Sequence, residues 1–127
     1  MPQRSVPSDR EMISAMASES PADGFRAVGS ADLLPARGRL ATVVLDGAEV
    51  VIANVRGRYY AIDGLCRHAG APLAAGRLIG CELTCALHGW TYDVTDGWIK
   101  NPSLGQRTAS FRVRVRDGLI EVAPNAE

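Results

Sequence analysis

From Phe25 onward, apolar and polar positions alternate with a period close to two. Leu40-Ala41-Thr42-Val43-Val44-Leu45 is followed by Asp46-Gly47 and then by Glu49 to Val55, another apolar run. That order predicts a β-hairpin, because Asp-Gly tolerates the positive φ angles of a tight turn. Arg56-Gly57-Arg58 predicts a second turn, leading into Tyr59-Tyr60-Ala61-Ile62. Near the end, Phe111 to Arg116 alternates cleanly and Asp117-Gly118 turns the chain into Leu119-Ile120-Glu121-Val122. Arg112, Arg114 and Arg116 are expected on a solvated outer face, with Val113 and Val115 inward. Short strands, Gly turns and no convincing internal helix read as an all-β sandwich or barrel.

Two stretches break this pattern. Residues 1–22 are rich in Ser, Pro, Ala and charge and read as a flexible arm, where Ser8-Asp9-Arg10-Glu11 fits a capping box ahead of a short helix. Residues 64–101 contain GLCRHAGAPLAAG, GCELTCALHGWTYD and DGWIKNP, dense in Gly, Cys and His. They read as a loop-built insertion in a rigid scaffold, and loops held by a scaffold are where chemistry concentrates. The chain therefore divides into an arm, a base (23–63 and 102–125) and an inserted subdomain (64–101), with 23–125 one domain.

Composition narrows the function. The 127 residues suit a single domain with a modest core. Lys plus Arg equals Asp plus Glu at 14 each, so overall charge argues for neither nucleic acid nor an anionic membrane. No apolar run approaches the roughly 20 residues that span a bilayer, and no secretory or twin-arginine pattern is visible, so a cytoplasmic location is expected. Three cysteines, Cys66, Cys81 and Cys85, form an odd set that argues against a disulfide framework. His68 and His88 are the two histidines of the chain, and each lies within three residues of a cysteine.

The candidate ligands are thus Cys66-x-His68 and Cys85-x-x-His88. Thiolate with imidazole suits two groups: a tetrahedral zinc ion, or a [2Fe–2S] cluster with two Cys on one iron and two His on the other. Zinc knuckles and fingers usually pair like with like, as C-x₂₋₄-C followed by H-x₃₋₅-H. Here each loop carries one thiol and one imidazole in the same order, which favours a dinuclear cluster clamped between two loops. Cys81 falls outside this set and reads as a small buried side chain.

CRHAGAPLAAGRL followed by CALHGWTYDVTDGWIKNP resembles the Rieske family, in particular the soluble Rieske-type ferredoxins of bacterial aromatic-ring oxygenase systems. The resemblance covers about residues 24–123. It implies an antiparallel all-β fold, a β-sandwich base of two sheets with an inserted, loop-rich cluster-binding subdomain, and one [2Fe–2S] cluster. Cys66 and Cys85 would hold the buried iron. His68 and His88 would hold the exposed one through Nδ1, with Nε2 toward solvent as the electron exit. Pro102 falls where a family loop covers the cluster, Trp90 where it could shield it, and Tyr92 where a hydroxyl can reach a cysteine sulfur.

Departures from the respiratory branch of the family also carry information. Its additional disulfide cysteines correspond to Ala71 and Leu87, so that bridge cannot form. Its serine hydrogen-bonded to a bridging sulfide corresponds to Trp90. Losing a hydrogen bond to sulfur moves the expected potential toward the low end of the roughly −150 to +300 mV Rieske span.

The resemblance implies a monomeric electron carrier, not an enzyme. It would shuttle one electron from an NAD(P)H-dependent flavoprotein reductase to a terminal oxygenase through transient contacts. Both histidines are already engaged, so none remains for a mononuclear-iron facial triad. The alternatives are a small Rieske subunit of an assimilatory nitrite reductase or other multisubunit oxidoreductase, and a zinc-binding interaction module.

Overall fold

The computed structural model describes residues 24–68 and 70–125; the arm and its capping-box helix lie outside them. The ordered strands are β1 (Arg26–Ser30), β2 (Leu40–Leu45), β3 (Ala48–Val55), β4 (Arg58–Asp63), β5 (Arg77–Ile79), β6 (Glu82–Thr84), β7 (Thr91–Asp93), β8 (Ile99–Asn101), β9 (Ser110–Arg116) and β10 (Leu119–Pro124). Helical structure among the described residues is limited to two 3₁₀ turns, Ala31–Leu33 and Leu73–Ala75. No helix among them is long and apolar enough to cross a membrane.

Three hairpins set the register of the larger sheet. Asp46-Gly47, Arg56-Gly57 and Asp117-Gly118 each place two successive residues at φ between 52° and 91°. Two positive φ values in a two-residue loop match the right-handed twist of the flanking strands. The closing pairs are Leu45 with Ala48, Val55 with Arg58, and Arg116 with Leu119. The resulting sheet has the order β1-β10-β9-β4-β3-β2. Its edge strands β1 and β2 come back into contact, and Arg26 donates two hydrogen bonds, 2.8 and 3.1 Å, to Asp46 across the join. The sheet is therefore curled toward a barrel, and both sides of the base belong to one continuous hydrogen-bonded surface.

The second sheet, β5-β6-β7-β8, draws all its strands from residues 77–101. Periodicity did not reveal it because each strand has three residues, too few for alternation to show. The segment that reads as loop in the sequence is thus tied by a small antiparallel sheet.

Strand β3 joins the two halves, with Val50 to Val55 all buried. Val50 and Ile52 pack with Val43, Ala61, Ile120 and Val122 inside the barrel. Val51, Ala53 and Val55 face the other way and pack with Ile62, Leu73, Leu83, Tyr92 and Ile99, together with Cys66 and Cys85. Successive side chains of a strand point to opposite faces, so one strand serves as the wall of two cores. Buried Asn54 fastens its end, donating to the Pro35 carbonyl at 2.9 Å and accepting from the Gly57 amide at 2.8 Å.

Arg112 and Arg116 are exposed as expected of a solvated face, but Val115 does not turn inward and two of the arginines meet an aromatic ring. The Arg112 and Arg114 guanidiniums lie 5.0 and 3.9 Å from the ring centroid of buried Phe25, and Arg114 also bonds Glu121 at 2.6 Å. Val115 is 47% exposed and Val113 half-buried. The two cations cover an aromatic face where the sheet curls.

Candidate metal centre

The two candidate loops are built on one backbone device. In the first, the Cys66 carbonyl accepts from the Gly70 amide at 2.7 Å and the Cys66 amide donates to the Ala71 carbonyl at 2.8 Å. In the second, the Cys85 carbonyl accepts from Gly89 at 3.2 Å and the Cys85 amide donates to Trp90 at 2.7 Å. Gly70 and Gly89 have φ of 68° and 75°, which explains a glycine four residues after each cysteine. The histidines sit at different points on these matching turns, His68 two residues after its cysteine and His88 three after. The spacing Cys-x-His and Cys-x-x-His reflects this offset, not two unrelated loops.

The local fold carries the loops to one place. Isolated pairing of Leu65 with Pro72 closes the first, and Leu73 anchors it in the core. The second loop connects β6 to β7, which are paired through Thr84 and Thr91. Gly76 makes the approach of β5 possible, since a Cβ there would lie 2.2 Å from the Thr84 carbonyl oxygen.

Burial separates the donors by chemistry. Cys66 and Cys85 are 2% and 3% exposed and pack in the core behind β3, whereas His68 and His88 are exposed. The imidazoles meet edge to face with centroids 4.7 Å apart. Trp90 lies flat on His68, with centroids 4.9 Å apart and planes 8° from parallel. Exposed Leu65 and Leu87, each the chain neighbour of a candidate ligand, leave apolar surface beside the imidazoles.

Tyr92 is completely buried and ties the two loops together. Its hydroxyl donates to Cys66 Sγ at 3.4 Å and accepts from the Arg67 amide at 2.9 Å. Burial pushes its phenol well above the ordinary tyrosine range, the Cys66 hydrogen bond adds to the shift, and the Arg67 amide opposes it. Pro102 is half-buried and opens the turn after β8, joined to Asn101 by a cis peptide. Asn101 pairs with Thr91, so Pro102 continues alongside the strand that starts after Trp90. Cys81 stands apart from the ligand loops, half-buried against the same core.

The donor set fits a group with two metals better than one ion. Both thiols are buried in one core, and both imidazoles are exposed with ring centroids 4.7 Å apart. A tetrahedral zinc site draws its four ligands around one point, whereas a cluster ligated by Cys₂ and His₂ takes one pair on each iron. The structure brings His68 to His88 and puts Cys66 and Cys85 in one core, while sequence reading missed the Trp90–His68 stack and which sulfur Tyr92 reaches. Both depend on side-chain directions that residue spacing does not encode.

Comparison with known proteins agrees with this geometry. Residues 25–115 match the Rieske [2Fe-2S] domain. The ferredoxin component of the naphthalene 1,2-dioxygenase system of Pseudomonas putida is 32% identical over 93 residues, covering 73% of this chain and 88% of that protein. The ferredoxin of carbazole 1,9a-dioxygenase from Nocardioides aromaticivorans superposes with a TM-score of 0.68 at 31% identity, covering 80% of this chain and 98% of that one. A chain in a complex of reduced oxygenase and oxidised ferredoxin of carbazole 1,9a-dioxygenase gives a TM-score of 0.69 at 27% identity, covering 82% and 98%. The chain belongs to the Rieske [2Fe–2S] domain family and carries that family's cluster.

Proposed function

We propose that this chain accepts one electron from an NAD(P)H-dependent flavoprotein reductase and delivers it to a terminal oxygenase. It is an electron-transfer component and not a catalytic subunit, as are the ferredoxin components it resembles along most of their length. The observation that carries the reading is the division of donors: two thiols in the core and two imidazoles at the surface, 4.7 Å apart. When bound, the cluster supplies a one-electron couple.

In this reading Cys66 and Cys85 hold the buried iron, and His68 and His88 the exposed iron. The core behind β3 keeps water from the thiolates. The histidines present their edges to a partner across the apolar surface of Leu65 and Leu87. Tyr92 steadies the Cys66 sulfur, Trp90 fixes one face of His68, and Pro102 covers the centre from the β8 turn. The base comprises 23–63 and 102–125 and the cluster-binding unit 64–101. The working form is a cytoplasmic monomer that meets its partners briefly, since electron-transfer contacts are small, and it binds neither nucleic acid nor membrane.

The test is a visible and EPR spectrum of the purified protein with iron and acid-labile sulfide analysis, followed by stopped-flow electron transfer. Equimolar iron and sulfide, lost on His88→Ala and on Cys85→Ala, is expected. A colourless protein binding only zinc overturns the reading.

A further inference from the structure

We propose that two Arg-Gly-Arg turns, with the cleft that the first of them shares with β5, form a binding site for a short polyphosphate chain, free or as the triphosphate of a nucleotide. The site uses none of the cluster's donors and does not depend on where the electron comes from or goes.

The two turns follow one plan. In Ala36-Arg37-Gly38-Arg39 the Arg39 amide donates to the Ala36 carbonyl at 2.9 Å, and Gly38 has φ of 76°. In Val55-Arg56-Gly57-Arg58 the outer residues pair across the ends of β3 and β4, and Gly57 has φ of 91°. Each turn thus carries an arginine on either side of a glycine at positive φ.

Buried Asn54 stitches the turns together. Its backbone amide donates to the Arg39 carbonyl at 3.1 Å, and its carbonyl accepts from the Gly38 amide at 2.8 Å. Its side chain donates to the Pro35 carbonyl at 2.9 Å and accepts from the Gly57 amide at 2.8 Å. The Arg37 guanidinium then lies over Gly57, its Nη2 3.1 Å from where a Cβ would stand, and Gly57 has Arg56 and Arg58 as chain neighbours. Like charges held close together are unfavourable. Here a fully bonded buried amide keeps them there.

The surroundings do not neutralise these cations. Residues 33–45, 50–62 and 70–81 contain five arginines, Arg37, Arg39, Arg56, Arg58 and Arg77, and no carboxylate. All five are exposed, and none joins an ion pair among the described residues. Of the acids bordering these stretches, Asp46 binds Arg26, Glu82 binds Lys100 and Asp63 accepts from the Leu65 amide. Asp32 and Glu49 also border them, and neither pairs with these arginines.

Size selects the occupant. A cleft of about 340 Å³ separates the first turn from β5, with Arg39 and Arg77 in its lining and no carboxylate. That is the scale of a small-molecule site. Guanidinium forks match phosphate oxygens two at a time. A polyphosphate chain concentrates its charge within a few ångströms, whereas the carboxylates of a peptide are spaced by the backbone. Nucleic acid binds through many phosphates along a longer track than two turns and a cleft supply.

The test is isothermal titration of the holoprotein with sodium tripolyphosphate and with ATP at fixed ionic strength. Saturable one-to-one binding is expected. Equal affinities show that the phosphate chain alone is recognised, and ATP binding more than about tenfold tighter assigns the site to a nucleotide. The double variant Arg37→Ala with Arg56→Ala should weaken binding about tenfold or more. Arg107→Ala with Arg116→Ala removes the same charge from exposed positions outside the turns and should change affinity by no more than about twofold. Arg37→Lys keeps the charge but loses the fork, and a weakening of about threefold is expected. Equal losses in the two double variants overturn the site, as does sodium sulfate binding as tightly as tripolyphosphate. A short single-stranded RNA that displaces tripolyphosphate at a lower concentration of phosphate groups overturns the small-anion assignment.

Discussion

The indole of Trp90 lies parallel to the imidazole of His68, 8° from coplanar and 4.9 Å between centroids, while His88 meets the same imidazole edge-on. One histidine is thus held on two sides and its counterpart on one. Trp90 is also packed against the core that contains both thiols, so the stack links the exposed and buried halves of the centre.

Replacing Trp90 by Ala should remove that support. For a half-buried indole the cost falls below the 3–5 kcal/mol of a fully buried one, at about 2 kcal/mol. Chemical denaturation of the holoprotein should show this loss, with Trp90→Phe recovering part of it. Faster bleaching of the visible cluster spectrum in Trp90→Ala is expected as well. A bleaching rate equal to wild type would show that the stack does not protect the centre.

Tyr92→Phe deletes the hydroxyl between Cys66 Sγ and the Arg67 amide. One hydrogen bond is lost and an amide loses its acceptor, a destabilisation of about 1–2 kcal/mol. Hydrogen bonds to sulfur favour the more negative reduced cluster, so the midpoint potential should fall. A differential of about 1 kcal/mol corresponds to about 40 mV for one electron. Protein-film voltammetry reads this directly, and an unchanged or higher potential contradicts it.

The same residue gives a pH dependence. Its phenol is raised above the ordinary value of 10.0, chiefly by burial. The folded chain therefore keeps a proton that the unfolded chain releases near pH 10, and stability is level below that pH and declines above it. The slope reaches at most about 1.4 kcal/mol per pH unit. Urea unfolding at pH 9 and pH 11 should show a steeper loss for wild type than for Tyr92→Phe.

Gly76→Ala tests the approach of β5 to the second loop. A Cβ there would stand 2.2 Å from a backbone oxygen of Thr84, next to Cys85, so the strands must separate. Gly80→Ala is the control, with positive φ and open space around it. The control should cost about 1–2 kcal/mol with full cluster content, whereas Gly76→Ala should lower the iron content of the purified protein. Equal iron in both would show that the β5–β6 contact is dispensable to the centre.

Asn54→Ala removes both anchors of a buried amide, to the Pro35 carbonyl and the Gly57 amide. The expected destabilisation is about 2–3 kcal/mol. Because Asn54 sits at the end of β3 away from the ligand loops, iron content should be unchanged.

Much of this was legible in the chain because local chemistry determined it. Asp46-Gly47, Arg56-Gly57 and Asp117-Gly118 specify their turns through φ alone, so three hairpins could be placed before any tertiary contact was known. Cys66, His68, Cys85 and His88 stood out because histidine is so scarce in this sequence. Strands β5 to β8 escaped notice since their pairing depends on neighbours more than on pattern. The Arg112 and Arg114 contacts with Phe25 were hidden for a related reason: the ring comes from the residue just ahead of β1, more than eighty residues away, brought there by the curl of the sheet.

Strand β3 divides its side chains between two compartments, and this gives protein engineering two independent handles. Variation at Val50 and Ile52 should tune the melting of the barrel while leaving the electron couple alone. Variation at Val51 and Ala53 should be felt by the thiolates, because those side chains share their core. A combinatorial library confined to one parity of this single strand would therefore separate durability from redox behaviour, and mixing the parities would entangle them.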